Sequence, residues 1–250
     1  MHKFFVTPNN IIGQKAIIQG DDVKHIYKVL RLDVGDKILI NNSQGQEYLG
    51  RISDVNKNSV TVDLLETLDQ NAESNIQIDL YQGLPKSSKM DYIVQKATEL
   101  GVNSIIPIIT ERVVVKSELG EFKKTDRWKR IALEACKQCK RTIIPEVKGP
   151  ITFDELLEGL KDYDLIVVPY ENKEHYGIKK MCQGIKDEVK TVAIVIGPEG
   201  GFEEEEIRAM ECKGAHIVTL GPRILRTETA GIVTAAILQY ELGDLGGVKE

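Results

Sequence analysis

Two almost uninterrupted apolar runs restrict most strongly what this chain can fold into. Residues 164–169 (DLIVVP) and Thr191–Ile196 (TVAIVI) are rich in valine and isoleucine. Such runs are typical of parallel strands that are buried on both faces. Strand and helix patterns alternate around them from Ile76 onward, which favours an α/β domain with a mostly parallel sheet and helices on both faces.

The first 70 residues carry a different pattern. Short β-type runs alternate there with turn signals such as Asn9-Asn10 and Gly35-Asp36, which predicts a small β-barrel or sandwich. The polar segment 69–75 separates the two patterns. We therefore predict two domains, residues 1–72 and residues 73–250.

Periodicity and turn signals also predict the individual elements. Strands are expected at 3–6, 16–18, 37–41, 47–52, 59–65, 76–82, 104–109, 164–169, 191–196 and 216–220. Helices are expected from Asp21 or Asp22 onward and at 88–100, 126–141, 153–159, 203–212 and 227–242.

Charge and hydropathy limit the classes of function. A formal net charge of −5 argues against indiscriminate binding of polyanions. Residues 116–141 nevertheless hold nine Lys or Arg against four Asp or Glu, so this stretch is either a nucleic-acid contact or a solvated helix face. No apolar run approaches the roughly 20 residues that span a bilayer, and the start MHKFFVTPNN has no cleavable apolar segment. We expect a cytoplasmic protein with no membrane partner.

Cys136 and Cys139 form a C-x-x-C pattern, which occurs in metal and redox sites. A structural zinc site needs four ligands, and no second such pair lies nearby. Both cysteines fall inside a strongly helical stretch instead of directly after a strand. We therefore expect two reduced thiols and no metal.

Unusual sequences follow three of the predicted strands. In open parallel sheets, ligands bind beyond the carboxyl ends of the strands. Here these ends lead into Tyr170-Glu171, into the loop 197–201 (GPEGG) and into the loop 221–226 (GPRILR). A binding site is therefore expected at this edge of the sheet.

The glycine-rich loop 197–201 lets a ligand approach the backbone closely, but it matches neither standard phosphate-binding motif. Several glutamates follow it, and their charge opposes an anion at the start of the next helix. The loop is either a plain tight turn or a site for an uncharged or cationic ligand.

Ile224 and Leu225 lie between the two arginines of the loop 221–226. An apolar pair in a surface loop indicates that it covers something, either a ligand or the domain core. At the end of the loop, Thr227 could cap the final helix, and Arg226 could simply pair with Glu228.

Taken together, these motifs resemble a known family. Loop 197–201 and residues 220–230 (LGPRILRTETA), at this separation, resemble the SPOUT class of S-adenosylmethionine-dependent RNA methyltransferases, and more narrowly the RsmE family. Further matching stretches are 25–32 (HIYKVLRL), 83–90 (GLPKSSKM) and 95–101 (QKATELG). The resemblance covers nearly the whole chain, and its ordered combination is far more specific than any one motif.

The resemblance implies a fold, a reaction and partners. It implies a trefoil-knotted SPOUT domain after a small N-terminal PUA-like β-barrel that binds RNA. It implies methylation of N3 of a uridine in 16S ribosomal RNA of the small ribosomal subunit, with S-adenosyl-L-methionine as cofactor. A homodimer, in which the neighbouring subunit completes each active site, is implied as well.

Individual residues receive expected roles if the chain binds this donor and methylates this base. Arg226 is expected to be catalytic, because N3 of uracil must lose a proton and a nearby cation stabilises the developing anion. No convincing general base is found, although Glu171 and Glu228 stay open. The expected cofactor-binding residues are Tyr170, Glu171, Ile196, Gly197, Glu199, Gly200, Gly201, Leu220, Gly221, Ile224 and Leu225. The expected RNA-binding residues are Arg31, Lys86, Lys89, Arg112, Gln138 and Arg141.

The chain departs from the family pattern at the expected RNA edge. Lys3 stands where relatives usually carry Arg, which keeps the charge but loses a bidentate fork for phosphate. Val113 replaces Ser, and Lys137-Gln138-Cys139 replaces Glu-Gln-Ser. None of these changes touches the cofactor loops.

Other functions remain open at this point. A noncatalytic RNA-binding or ribosome-assembly factor would use the barrel and the basic stretch, but not loop 221–226. A ribose 2′-O RNA methyltransferase would use the same donor on a different acceptor atom. A nucleotide hydrolase is disfavoured because the phosphate loop is missing.

Overall fold

The structure, a computed structural model, describes residues 1–69, 72–86, 88–113, 124–173 and 175–247. It divides the chain into two units, Met1–Glu73 with Cys136–Ile144, and Ser74–Ala135 with Pro145–Glu250. No helix within the described ranges is long and apolar enough to cross a membrane. Part of the basic stretch, 116–123, and two residues of the polar segment, 70 and 71, lie outside the described residues.

The first unit is a curled six-stranded sheet, as the spacing of the β-type runs predicts. Its strands are β1 (Lys3–Phe5), β2 (Ile11–Ile12), β3 (Lys15–Gln19), β4 (Lys37–Asn41), β5 (Glu47–Val55) and β6 (Ser59–Leu68). The strand order is β1-β4-β5-β6-β3-β2, parallel between β1 and β4 and antiparallel elsewhere. Two register shifts between β5 and β6 increase the local twist and help the sheet to curl.

A short helical segment closes this sheet. Helix α1 (Asp21–Lys24) continues into a π-helical turn, His25–Leu30. Val23 and Ile26 are buried there and pack with Ile18 and the other apolar residues of the sheet. The first unit thus has its own hydrophobic core.

The second unit is an α/β layer structure, which confirms the expected fold class. Its strands are β7 (Gln77–Gly83), β8 (Ser104–Ile109), β9 (Glu146–Val147), β10 (Ile151–Thr152), β11 (Leu165–Pro169), β12 (Thr191–Ile196) and β13 (His216–Val218). Its helices are α2 (Lys89–Glu99), α3 (Thr125–Cys139), α4 (Phe153–Gly159), α5 (Ile178–Gly184), α6 (Glu204–Cys212) and α7 (Thr227–Glu241). All strand pairs are parallel, in the order β10-β8-β7-β12-β11-β13, with β9 beside β8.

Helices cover both faces of this sheet. On one face, Tyr81 and Val195 pack with Leu156 of α4 and Met210 of α6. On the other face, α7 lies on β7 and β12 and also packs on α2. The central strands are therefore buried on both sides, which explains their uninterrupted apolar sequences.

The chain crosses back over the middle of the sheet after its edge strand. From β13 at the edge, it returns to the centre, where Thr227 at the start of α7 contacts Gln82 of β7 and Gly197 after β12. A side chain at Gly83 would clash with the backbone nitrogen of Pro198, so only glycine lets the loop 197–201 lie directly on the end of β7. This return brings the start of α7 next to the loop 197–201.

Two local expectations differ from the structure. The N-cap of α7 is Arg226, so the expectation that Thr227 caps this helix is wrong: its hydroxyl is used in a long-range contact. Helix α5 was not expected, because its seven residues contain too few turns for a periodic pattern and, unlike in α4, no side chain caps its start.

Candidate functional site

Two adjoining cavities lie beyond the carboxyl ends of β11, β12 and β13. The wide cavity measures about 650 Å³ and is lined by residues that follow β11 and β13. The narrow cavity measures about 360 Å³ and is lined by residues around the loop 197–201 and the start of α7. Glu171, Ile224 and Leu225 line both cavities. Residues of the loop 221–226 are therefore part of the wall that the two cavities share.

The two apolar residues of this loop, Ile224 and Leu225, differ in their exposure to solvent. Ile224 is 87% exposed, while Leu225 is partly buried. Ile224 thus does not fill the domain core, which was one of the two interpretations of this pair. An isoleucine held open over a cavity is suited to cover an apolar part of a ligand.

Most of the expected cofactor-binding residues meet at these two cavities. The wide cavity receives Tyr170, Leu220 and Gly221, the narrow cavity receives Ile196, Gly197, Glu199 and Gly201, and Glu171, Ile224 and Leu225 reach both. Gly200 does not line either cavity. Its carbonyl accepts a hydrogen bond from Nη1 of Arg112 at 2.9 Å, so it serves the conformation of the loop.

The loop 197–201 depends on glycine in two ways. Gly201 has a φ of +70°, and a Cβ there would approach Oε1 of Glu171 to 3.0 Å. A Cβ at Gly197 would lie 3.2 Å from the ring of Phe202. The backbone of this loop is therefore packed closely against its neighbours, while it stays open to the narrow cavity.

The chain's own carboxylates occupy the start of α6. Glu206 accepts hydrogen bonds from the backbone N–H groups of Glu203 at 2.8 Å and Glu111 at 3.0 Å. Glu203 also pairs with Arg112, whose Nε lies 2.6 Å from Oε1, and this arginine lowers the pKa of the Glu203 carboxyl. An anionic ligand is therefore not expected at this helix terminus.

Lys89 lines the narrow cavity and forms ion pairs with two carboxylates. Its Nζ lies 3.0 Å from Oε1 of Glu199 and 3.3 Å from Oε2 of Glu228. Both contacts raise the pKa of Lys89, the one with Glu199 most strongly. Partial burial opposes ionisation of Glu199, but the hydrogen bond and charge of Lys89, together with hydrogen bonds from backbone N–H groups, outweigh burial and lower the pKa of Glu199. Lys89 and Glu199 are therefore both charged at neutral pH.

Arg226 lies at the narrow cavity with its side chain exposed. Glu228 is engaged with Lys89, and no hydrogen bond or ion pair joins the Arg226 side chain to another residue in the described part of the chain. The alternative in which Arg226 merely pairs with Glu228 is therefore not what the structure has. Its guanidinium donors are available to a ligand.

The expected RNA-binding residues fall into two groups. Arg31, Lys86 and Gln138 are exposed. Arg112 and Lys89 are held by glutamates, and Arg141 is buried. The first group is accessible to RNA, and the second has partners within the chain.

Arg141 has a structural partner in the first unit. Its Nε and Nη2 donate to Oε2 of Glu73 at 2.9 and 2.7 Å. The other oxygen of Glu73 accepts from the backbone N–H groups of Thr142 and Ile143 at 2.7 and 2.9 Å. In this structure Arg141 therefore holds the segment after α3, and its side chain does not face solvent.

One departure from the family pattern and the C-x-x-C pattern both have local explanations. The Lys3 side chain is only 7% exposed, pairs with Glu47 and donates to the carbonyl of Lys140 at 3.0 Å. Cys136 is buried, and this burial raises the pKa of its thiol to about 12. A thiol with that pKa is a poor redox group. Within the described ranges, no three His, Cys, Asp or Glu side chains are placed to hold a metal ion.

Some lining residues were not expected from the sequence. Lys173, His175 and Arg223 line the wide cavity, and Thr227 lines the narrow one. Lys173 and His175 lie in the segment that follows β11, Arg223 lies within loop 221–226, and Thr227 directly follows this loop; proximity to these segments was the available signal. A third cavity of about 730 Å³ lies at the opposite edge of the sheet, beside Gln77 and Thr191, where ligands of parallel sheets do not usually bind.

Comparison with known families identifies both units. The model of the RNA methyltransferase domain matches residues 72–239. The model of the RNA methyltransferase PUA domain matches residues 18–65. These matches confirm the expected combination of a SPOUT-type methyltransferase domain with a PUA-like domain.

Relatives along the whole chain agree with these matches. Ribosomal RNA small subunit methyltransferase E of Bacillus subtilis is 36% identical over 92% of this chain and 91% of its own. The protein of the same name from Aquifex aeolicus is 34% identical over 95% and 99%.

Solved structures give the same result. A methyltransferase from Legionella pneumophila in complex with bound cofactor SAM superposes with a TM-score of 0.86 and 34% identity, covering 97% of this chain and 98% of that chain. Ribosomal RNA small subunit methyltransferase E from Neisseria gonorrhoeae, bound to S-adenosyl methionine, superposes with a TM-score of 0.84 and 30% identity, covering 98% and 99%. With this fold, this site and these relatives, the chain belongs to the ribosomal RNA small subunit methyltransferase E family.

Proposed function

We propose that this chain transfers a methyl group from S-adenosyl-L-methionine to N3 of a uridine in 16S ribosomal RNA. The observation that carries the proposal is the exposed Ile224, held between two cavities at the carboxyl edge of a parallel sheet. An exposed isoleucine at this place gains nothing in the protein alone, but it would lose its contact with water beneath a ligand. The two relatives of solved structure named above have S-adenosylmethionine bound.

The lining residues fit this cofactor. A largely apolar cleft with a few placed polar groups is typical of small-molecule sites, and Ile196, Leu220 and Leu225 supply apolar surface here. Backbone groups of Gly197 and its loop supply polar atoms at close range. When bound, the cofactor provides a methyl group on a positively charged sulfur. The start of α6 would repel this positive charge if its backbone N–H groups were unpaired, but the carboxylate of Glu206 accepts hydrogen bonds there.

Arg226 is proposed as the catalytic residue. Uracil N3 is protonated at neutral pH and becomes a good nucleophile only when this proton leaves. The Arg226 guanidinium would stabilise the resulting anion by charge-assisted hydrogen bonds to a carbonyl oxygen. Fixing both reactants in one cleft contributes as well, since good orientation can be worth about 7–11 kcal/mol.

Glu171 and Glu228 are the two candidate acceptors of this proton. Glu228 already holds Lys89. Glu171 is exposed and lines both cavities, so it is the better placed of the two carboxylates. We propose Glu171 for this role.

RNA contacts are proposed for the exposed Arg31, Lys86 and Gln138, and they would make binding depend on salt. Lys89 and Arg112 would reach RNA only by exchanging their glutamate partners. We propose the RNA of the small ribosomal subunit as the substrate and the cytoplasm as the location of the chain.

A homodimer is proposed from the outer face of α7. Val233, Ile237 and Tyr240 recur on this helix at spacings of three to four residues and are half-buried or exposed. Tyr240 is 64% exposed, and Tyr92 on the neighbouring helix α2 is 51% exposed. A second copy would cover these apolar side chains.

Calorimetry with S-adenosylhomocysteine, the demethylated product of the donor, tests the proposal. We expect binding by the wild type and about tenfold weaker binding by Ile224→Ser. The matched control is Ile12→Ser, which changes a 66% exposed isoleucine in the first unit and should bind normally. A wild type that does not bind, or equal affinities for wild type and Ile224→Ser, would contradict the proposed site.

A further inference from the structure

We infer that Gln82 and Thr227 act together as positioning residues that orient the Gly197 carbonyl at the narrow cavity and thereby set the affinity for the methyl donor. This inference rests on the proposed function and deepens it. Neither residue belongs to the expected cofactor site, and neither acts on the reacting atoms.

A directed pair of hydrogen bonds connects the three residues. Nε2 of Gln82 donates to Oγ1 of Thr227 at 2.8 Å. Oγ1 of Thr227 in turn donates to the carbonyl oxygen of Gly197 at 2.5 Å. Because an amide nitrogen can only donate, it fills an acceptor position of the hydroxyl and leaves the hydroxyl proton directed at Gly197.

The pair is sealed from water. Gln82 is fully buried and Thr227 is 7% exposed. A water molecule therefore cannot replace either partner without rearrangement, and hydrogen bonds are stronger in such surroundings. The orientation of the Gly197 carbonyl is consequently decided by the chain itself.

Gly197 is a position at which such control matters. Glycine restricts its own backbone less than any other residue, and Pro198 after it has no N–H group with which to hold the turn. Gly197 lines the narrow cavity. Without the Thr227 hydroxyl, the peptide at the cavity wall would therefore lose the hydrogen bond that restrains it, and no other side chain among the described residues donates to the Gly197 carbonyl.

The same hydrogen bonds hold the residue before Thr227. Arg226 is the N-cap of α7, and its backbone is continuous with the anchored threonine. Gln82 lies 145 residues away from Thr227 in the chain, and Gly197 lies 30 away. The pair therefore connects the end of β7, the glycine-rich loop and the start of α7. The relative positions of these three segments determine the shape of the narrow cavity.

The presence of an amide at position 82 is unfavourable for stability, so packing alone does not explain why this residue is glutamine. Its Oε1 is buried without a hydrogen-bond donor among the described residues, and a Cβ at Gly231 would approach it to 3.0 Å. A buried acceptor without a donor is unfavourable, and methionine would fill a similar volume without it. The amide is explained if its Nε2 is needed to direct Thr227.

Thr227→Val, which removes the hydroxyl and keeps the shape, tests the inference. We expect S-adenosylhomocysteine to bind about tenfold more weakly, as for one lost hydrogen bond, and Thr227→Ser to restore most of the affinity. The matched control is Thr234→Val in the same helix, because Thr234 is also buried but its hydroxyl donates only to the carbonyl of Ala230. This control should lose thermal stability comparably and yet bind like the wild type.

A double-mutant cycle tests whether the two residues act as one unit. Gln82→Met should also weaken binding in the wild-type background, but should add little in the Thr227→Val background. If Thr227→Val fails to fold, Gln82→Met carries the test by itself. Equal binding by wild type and folded variants, or effects that simply multiply, would overturn the inference and leave the proposed function intact. A wild type that does not bind would overturn both.

Discussion

Neighbouring residues at the start of α7 have different environments and therefore different uses. The Arg226 side chain is exposed at the narrow cavity, so its donors can meet a substrate. The Thr227 hydroxyl is buried and bonded on both sides, so it can only shape the site. The motif around them therefore contains the guanidinium proposed to act on the substrate and, next to it, the hydroxyl that fixes its position.

Glu73 is the most heavily hydrogen-bonded carboxylate of the first unit. Burial opposes its ionisation, but the hydrogen bonds and charge of Arg141, together with the backbone N–H groups of Ile143 and Thr142, outweigh burial and lower its pKa below the usual 4.5. Its stabilising effect is therefore present above the unfolded-state pKa. It is lost as the pH falls through the lower pKa of the folded state.

We predict that Glu73→Gln lowers the free energy of unfolding by about 2 kcal/mol at neutral pH, because Arg141 stays buried with a weaker partner. The difference from wild type should shrink on acidification to about pH 3. Urea unfolding followed by circular dichroism at both pH values measures it. Glu66→Gln, a change of an exposed glutamate on β6, is the control and should have no effect; a difference for Glu73→Gln that persists at acidic pH would refute the assignment.

This carboxylate also shows where inference from sequence ends at the residue scale. Arg141 was expected at RNA because it is basic and lies in a basic stretch, yet its partner is 68 residues away in the chain. No pattern within a short stretch of sequence predicts an ion pair between residues so far apart. Ile224, in contrast, was recognisable, since an apolar residue between two arginines is conspicuous within a short window.

Elements with strong local signals were predictable almost to the residue. Strands β4, β8 and β12 match their expected bounds, because continuous apolar runs between turns leave few alternatives. Helix α4 also matches, and its start is fixed by a capping box between Thr152 and Glu155. Two-residue strands such as β9 and β10 exist only through their partner β8, so the sequence alone could not indicate them.

At the element scale, we predict that Gly83→Ala is severely destabilising. The new methyl group would clash with the nitrogen of Pro198 and lie 2.6 Å from the carbonyl carbon of Gly197, so the loop 197–201 would have to leave the end of β7. We expect a loss of about 3 kcal/mol or more. Gly184→Ala at the end of α5, where a Cβ meets nothing within 4 Å, is the control.

Thermal unfolding of the two variants provides the measurement. The Gly184→Ala midpoint should stay close to that of wild type, whereas Gly83→Ala should melt far earlier or accumulate as insoluble protein. A Gly83→Ala variant as stable as wild type would mean that the loop is not packed on β7 as described.

At the scale of the whole molecule, the order of motifs carried more information than any periodicity. The glycine-rich loop, the loop 221–226 and the flanking stretches together indicated the family, which the comparisons confirm. The sequence did not indicate which residues belong to each unit, because the segment Cys136–Ile144 is part of the first unit although it lies far along the chain. Contacts such as those of Lys3 with Lys140 and Glu73 with Arg141 assign this segment, and they exist only in the folded chain.

The position of the transferred methyl group tests the central claim most directly. The chain is incubated with small ribosomal subunits that lack the modification and with S-adenosylmethionine labelled in its methyl group, and the 16S RNA is digested to nucleosides for mass spectrometry. We predict labelled N3-methyluridine at a single position, a rate lower by about a hundredfold for Arg226→Ala, and an unchanged rate for Arg208→Ala, which alters an exposed arginine of α6. Unlabelled RNA, or label found only in a 2′-O-methyl nucleoside, would contradict the account.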